Sequence, residues 1–240
     1  MATKTRAVAF AGQKGGTGKT TVATATASYI HYTLGKRVLL MDSDSPQYSL
    51  WTFRNQELER LANDPENAQR FEKQGVAPYD IIQTTLLDVP KQLEALRASG
   101  EYDVIIIDTP GSVNVTGYKE CLMSVDCVFT PLEAEEFSLT SNLEFISYLI
   151  NDILEAKGSK LEEYYVFWNK IRKTTNKDFF IEVHSNLIEE GIKVLDALVD
   201  DRVDYQRSIC RSTLFPLATK YQTSGLGTLI NVVSQKILKN

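Results

Sequence analysis

The sequence lacks what a disulfide-stapled, metal-clustered or membrane-spanning protein would need. It holds three cysteines, Cys121, Cys127 and Cys210, and an odd, sparse set builds no disulfide framework. None forms a CxxC pair, which weakens zinc and iron–sulfur readings and points to a reducing, cytoplasmic setting. No apolar stretch approaches the ~18–20 residues that cross a bilayer. The apolar run near the N-terminus is too short for a secretion signal and is followed at once by glycines. Positive charge is not in excess either. The formal net charge is -5, so any nucleic-acid contact has to come from a local patch and not from the global field. Internal repeats, low-complexity tracts and interdomain linkers are also missing.

What is present is an ordinary globular composition, 43% hydrophobic and 24% charged over 240 residues, enough for one sizeable core without staples. Residues 1–240 are read as a single domain. Apolar runs alternate with helical patterns, which predicts an α/β fold: a doubly wound, mostly parallel sheet flanked by helices. Strands are expected at Arg6–Ala11, Arg37–Met41, Tyr79–Gln83, Val104–Ile107, Cys127–Pro131, Tyr164–Trp168 and Lys193–Leu198. Helices are expected at Thr20–Leu34, ended by Gly35, and at Leu50–Lys73 with a break near Asn63–Pro65. Further helices are expected at Val89–Ser99, Leu139–Ala156, Phe179–Glu190 and Leu226–Leu238.

The strongest local signal is Lys14-Gly15-Gly16-Thr17-Gly18-Lys19-Thr20-Thr21, set between the first strand and the first helix. Glycines let the backbone curl around a phosphate chain. Successive N–H groups then form an anion nest at a helix N-terminus. Lys19 is placed to reach the β- and γ-phosphates, and the Thr20 hydroxyl to meet Mg²⁺. Two strands end in carboxylates on the side where ligands bind in doubly wound sheets. One runs Val38-Leu39-Leu40-Met41-Asp42-Ser43-Asp44-Ser45-Pro46-Gln47 and the other Val104-Ile105-Ile106-Ile107-Asp108-Thr109-Pro110-Gly111. The plain alternative is that Asp42 caps the helix that follows it.

The loop departs from the common GxxxxGK[ST] pattern, since Gln13 stands where the first glycine belongs and Lys14 adds a second lysine. In both respects it resembles the deviant Walker A loop, KGGxGK[ST], of the ParA/MinD group of P-loop ATPases. The Asp42-Ser43-Asp44 run before Pro46-Gln47 resembles that family's DxDPQ switch, with Ser45 inserted. Asp108-Thr109-Pro110-Gly111 resembles its second switch, where Gly111 is free to shift backbone.

The resemblance implies a P-loop NTPase fold and a weak ATPase using ATP and Mg²⁺. Lys14 would touch the nucleotide of the partner subunit in an ATP-bound homodimer, acting like an arginine finger. The same resemblance implies that Asp44 positions water and helps hold the metal site with Thr20 and Asp108. Asp42 would take an outer or lysine-pairing role. Asn169, at a strand end, and Pro216, in the late loop, would flank the adenine. Non-specific DNA would be met by Arg202, Arg207, Arg211 and Lys220, and a ParB-like adaptor would stimulate hydrolysis. An earlier basic cluster, Lys170, Arg172, Lys173 and Lys177, is also noted. The implied role is partition of a plasmid or mobile element by a short stand-alone protein, cytoplasmic and nucleoid-associated when ATP-bound. No membrane partner is expected, because the last helix carries few basic residues. A MinD-like positioning ATPase, a P-loop ligase of the dethiobiotin-synthetase kind and a non-hydrolysing nucleotide-bound scaffold remain as alternatives.

Overall fold

Aliphatic runs with no polar alternation before a terminal aspartate form strands covered on both faces. In the computed structural model, which describes residues 4–239, such runs make the centre of a seven-stranded sheet. The strands are β1 (Arg6–Phe10), β2 (Val38–Asp42), β3 (Asp80–Gln83), β4 (Val104–Asp108), β5 (Cys127–Leu132), β6 (Glu163–Ile171) and β7 (Val194–Asp200). Their order is β3-β2-β4-β1-β5-β6-β7, and every neighbouring pair is parallel. All seven expected strands are present, and the expected α/β class with a parallel sheet is the observed one.

The helices follow in chain order as α1 (Lys19–Ser28), α2 (Ser49–Asn63), α3 (Pro65–Gln74), α4 (Val89–Ser99), α5 (Tyr118–Ser124), α6 (Glu136–Tyr148), α7 (Lys177–Glu189), α8 (Ser208–Arg211), α9 (Thr219–Gln222) and α10 (Gly225–Leu238). Alternate residues of each strand face opposite cores. Val8 and Phe10 join Leu40, Ile106, Phe129 and Phe167 beneath α1 and α10. Ala7 and Ala9 join Met41, Ile107, Val128 and Trp168 beneath α4, α5, α6 and α7. So α1, leaving β1, and α5, leaving β4, cover opposite faces of neighbouring strands. That divergence opens the ligand crevice of a doubly wound sheet at the C-terminal ends of β1 and β4.

Two helices end in wider π turns, at Tyr29–Thr33 after α1 and Leu149–Leu154 after α6. The first stops where Gly35 takes φ 65° and donates to the His31 carbonyl. The expected break near Asn63–Pro65 is a cap, since the Asp64 side chain accepts from the amides of Glu66 and Asn67. Helix α5 is the main element not read from sequence. It has seven residues, and its N-cap is Gly117 at φ 86° with no side-chain cap.

Helix α2 is held far from its start. Arg54 is buried; its Nε donates to Thr213 Oγ1 at 2.6 Å, Nη1 to the Tyr79 carbonyl at 2.8 Å and Nη2 to the Thr213 carbonyl at 2.9 Å. Glu57, one turn on, accepts from the Thr213 amide at 2.7 Å. Removing a buried charged donor leaves its acceptors unsatisfied. Arg54→Met should therefore lower unfolding stability by about 3 kcal/mol in urea titration. A loss below about 1 kcal/mol would show that this strap adds little to the fold.

Candidate functional site

The loop between β1 and α1 is shaped by two glycines in the left-handed region, Gly16 at φ 76° and Gly18 at φ 95°. Gly18 is also closed to a side chain by space, since a Cβ there would lie 2.2 Å from Asn169 Nδ2. Two carbonyls of the loop are engaged by residues from outside it. Asn169 Nδ2 donates to the Thr17 carbonyl at 2.7 Å, and the Lys170 ammonium donates to the Gly16 carbonyl. Both side chains come from one irregularity in β6. The register slips between Trp168 and Ile171, and Lys170 takes φ 56°. A bulge of this kind re-aims side chains out of the ladder. With these carbonyls turned outward, the peptide N–H groups are disposed for an anion nest at the start of α1.

Lys19 lies at the centre of the loop, buried, with Nζ 2.9 Å from the Lys14 carbonyl. Burial lowers its pKa, against the opposing pull of Asp108, Asp44 and Glu133. The Thr20 hydroxyl donates to Asp108 Oδ2 at 2.7 Å. Asp108 Oδ1 is buried without a hydrogen-bond partner. A hydroxyl beside a buried carboxylate oxygen that lacks a partner suits a small hard cation. Among the described residues no group of three or more His, Cys, Asp or Glu side chains could hold a metal ion. Thr20 and Asp108 offer the one or two protein oxygens that Mg²⁺ takes, its shell otherwise filled by phosphate and water. Asp44, half-buried, acts electrostatically on both Lys19 and Asp108.

Asp42 faces Asp108 across the β2–β4 register. Its Oδ2 accepts from the amides of Leu50 at 2.9 Å and Trp51 at 3.0 Å. The simple capping reading therefore describes Asp42 here. The carboxylate ties down the N-terminus of α2, where the helix dipole favours negative charge. Burial raises its pKa, offset by those amides. Gly111 packs directly on the loop, where a Cβ would lie 2.5 Å from Gly15 Cα. The two segments expected to act as switches thus touch the carboxylates and the phosphate loop.

Beside Gly18 and Thr21 lies a narrow cleft of about 40 Å³ lined by Val22, Asn169, Val199, Arg202, Tyr205 and Leu226, among others. Pro216, expected at the base, does not line it. Pro216 lies on the far side of the late loop, in a pocket with Arg60, Arg70 and Phe215 against α2 and α3. The reason is the tie of Thr213 to Arg54 and Glu57, which draws that loop toward α2. Asn169 does line the cleft, with its amide nitrogen engaged by Thr17.

Of the basic residues expected to meet DNA, Arg202, Arg207 and Lys220 lie around Asp204, Tyr205 and Tyr221, and Arg211 lies apart. Arg202 pairs with Asp200, and Arg207 with Asp204 at 3.2 Å. Lys220 lies over the Tyr221 ring, while Arg211 lies over Phe53 and lines a different pocket beside Thr20 and Gln47. In the earlier basic cluster, Arg172 pairs with Glu135 at 2.7 Å.

One acidic residue at the loop was not singled out from sequence. Glu133, following β5 and 9% exposed, lies 3.7 Å from Lys14 Nζ and 3.2 Å from Lys170 Nζ. The signal was available, because Glu133 stands at a strand end as Asp42 and Asp108 do. Tyr118, whose hydroxyl accepts from the Gly12 amide at 3.2 Å, is a second.

Comparison with known proteins agrees with this geometry. Residues 8–215 match the family model of the CobQ/CobB/MinD/ParA nucleotide-binding domain. The chain is 31% identical over 229 residues to the chromosome partitioning protein ParA of Caulobacter vibrioides, covering 80% of this chain and 83% of that protein. A Borrelia burgdorferi B31 protein assigned to plasmid partition, bound to AMPPNP, superimposes with TM-score 0.66 at 20% identity, covering 98% of this chain and all (100%) of that one. The pNOB8 ParA bound to nonspecific DNA superimposes with TM-score 0.58 at 17% identity, over 98% of each chain. At those identities the two structures speak for the fold.

Burial pushes the Asp108 carboxyl up to about 7, against the Thr20 hydrogen bond and the Lys19 charge that pull it down. An unfolded Asp titrates near ~4. Between these values the folded state holds the extra proton, so stability is lost as pH rises from about 4 toward 7. In nucleotide-free, magnesium-free protein, Asp108→Asn should be more stable than wild type at pH 8 by about 1–3 kcal/mol, the gap shrinking toward pH 4. Thermal melts across that range check it, and a pH-independent gap would refute the shift.

Proposed function

The chain belongs to the CobQ/CobB/MinD/ParA nucleotide-binding family, and on that premise we propose that it is a weak ATPase that dimerises with Mg-ATP and serves DNA partition. The observation that carries this reading is the arrangement of two lysines. Lys19 is buried at the loop's centre, while Lys14 stands at its rim with 44% of its side chain exposed. A cation inside the nest serves the protein's own triphosphate. A cation at the rim is placed to reach a phosphate held by another molecule.

In this reading the loop amides from Gly15 to Thr21 bind the phosphate chain, and Lys19 neutralises its β- and γ-oxygens. Thr20 and Asp108, with Asp44, would hold Mg²⁺, which when bound offsets charge on the β- and γ-phosphates. Asp44 orients the attacking water. The bond between the γ-phosphorus and the bridging oxygen breaks, and the products are ADP and phosphate. The cleft beside Gly18, Asn169 and Tyr205 takes the adenine, with an apolar floor from Val22, Val199 and Leu226. ATP stabilises the dimer because Lys14 makes its contact across the interface only while the γ-phosphate is present. Hydrolysis removes that differential contact and the protomers part.

The partition role follows the function named for the Caulobacter relative. Binding to non-specific DNA follows the pNOB8 ParA complex. Arg202, Arg207, Arg211 and Lys220 are the residues proposed for it, each contributing phosphate contacts that need no sequence motif. A ParB-like adaptor would accelerate hydrolysis, and the ATP-bound dimer would reside on the nucleoid.

Sedimentation with Mg-ATP, Mg-ADP and no nucleotide, with and without non-specific DNA, tests the reading. Wild type should dimerise with Mg-ATP alone among the three states and retain DNA only then. Lys14→Ala should bind nucleotide within a few-fold of wild type yet stay monomeric. A wild type that remains monomeric at saturating Mg-ATP, or a Lys14→Ala protein that dimerises equally well, would overturn it.

A further inference from the structure

Glu133 lies between two loop-associated cations. Its Oε2 is 3.7 Å from Lys14 Nζ and its Oε1 is 3.2 Å from Lys170 Nζ. The two pairs differ in kind. Lys170 is also fixed to the Gly16 carbonyl and has 32% of its side chain exposed. Lys14 is 44% exposed, and its pair is longer. Lys170 is therefore the standing counter-ion of a nearly buried carboxylate, and Lys14 is the exchangeable one.

We propose that Glu133 is a positioning residue that holds Lys14 to its own protomer before assembly, setting a threshold for the dimer. This rests on the reading that Lys14 acts across the interface. The ion pair at Lys14 must open before Lys14 reaches a second protomer's phosphates. Opening leaves Glu133 still paired with Lys170, so the step does not strand a buried charge, which would otherwise cost a great deal. The threshold is consequently small and reversible, of the size expected for a partly exposed pair. Placing the latch on Lys14 leaves Lys19, and hence nucleotide binding itself, outside its action.

The test is the dimer dissociation constant at saturating Mg-ATP, where differences in nucleotide affinity drop out. It is read by sedimentation for wild type, Glu133→Gln and Glu133→Asp. Acetic anhydride footprinting of Lys14 in the nucleotide-free protein accompanies it. Glu133→Gln should tighten the dimer about three- to five-fold and raise labelling of Lys14, while Glu133→Asp keeps both near wild type. An unchanged or weakened Glu133→Gln dimer overturns the latch while leaving the ATP-dependent dimer standing. A tighter dimer without increased Lys14 labelling also overturns it, by assigning the effect to direct repulsion of phosphate. A wild type that fails to dimerise removes both the latch and the reading beneath it.

Discussion

The site depends on one constraint of the peptide group. An N–H can point into an anion nest only if its neighbouring carbonyls are turned away and satisfied there. In this protein two of those carbonyls are satisfied by consecutive residues, Asn169 on Thr17 and Lys170 on Gly16. Both are delivered by the bulge in β6. The glycines permit the loop's shape, and the bulge selects it. This is why the phosphate loop has to be understood together with a strand some 150 residues later in the chain.

Charge is concentrated around that loop in a form that opposes folding without a ligand. Asp108 is buried and pushed toward neutrality, Asp42 is raised by burial, and Lys19 is lowered by it. Each group is partly compensated by local hydrogen bonds, and none of these shifts is free of cost. A bound polyanion with a divalent cation would reverse the sign of the main costs at once, since it needs Lys19 charged and Asp108 ionised. A site strained in this way favours its ligand-bound state by more than its direct contacts suggest.

Much of this was legible in the sequence. The stretch Lys14–Thr21 and the apolar strands ending at Asp42 and Asp108 are local patterns, and local patterns survive in a linear reading. So was the seven-stranded architecture, because the central strands are short, nearly continuous apolar runs. What escaped was set by contacts distant in the chain. Thr213 is drawn to Arg54, 159 residues away, and Pro216 goes with it, away from the cleft beside Gly18. Asn169, expected as a base contact, lines the cleft beside Gly18, and its amide nitrogen also holds the Thr17 carbonyl. Glu133 stands at a strand end, but nothing local in the chain ties that end to the phosphate loop. Only the parallel pairing of β5 beside β1 brings it to Lys14.

The same contacts bear on how a change at the nucleotide site could spread. Helix α2 is fixed at its start by Asp42, through the amides of Leu50 and Trp51, and one to two turns later by Arg54 and Glu57 on Thr213. A helix held at both places does not swing as a lever without breaking buried polar contacts. The segment left to respond is the short one between the anchors of β2 and α2, Ser43 to Tyr48. Ser43 is itself tied by its hydroxyl to the Asp108 carbonyl at 2.6 Å. The stretch from Asp44 to Tyr48 is closed by the Tyr48 amide donating to the Asp44 carbonyl at 3.0 Å, with Asp44 acting electrostatically on Lys19.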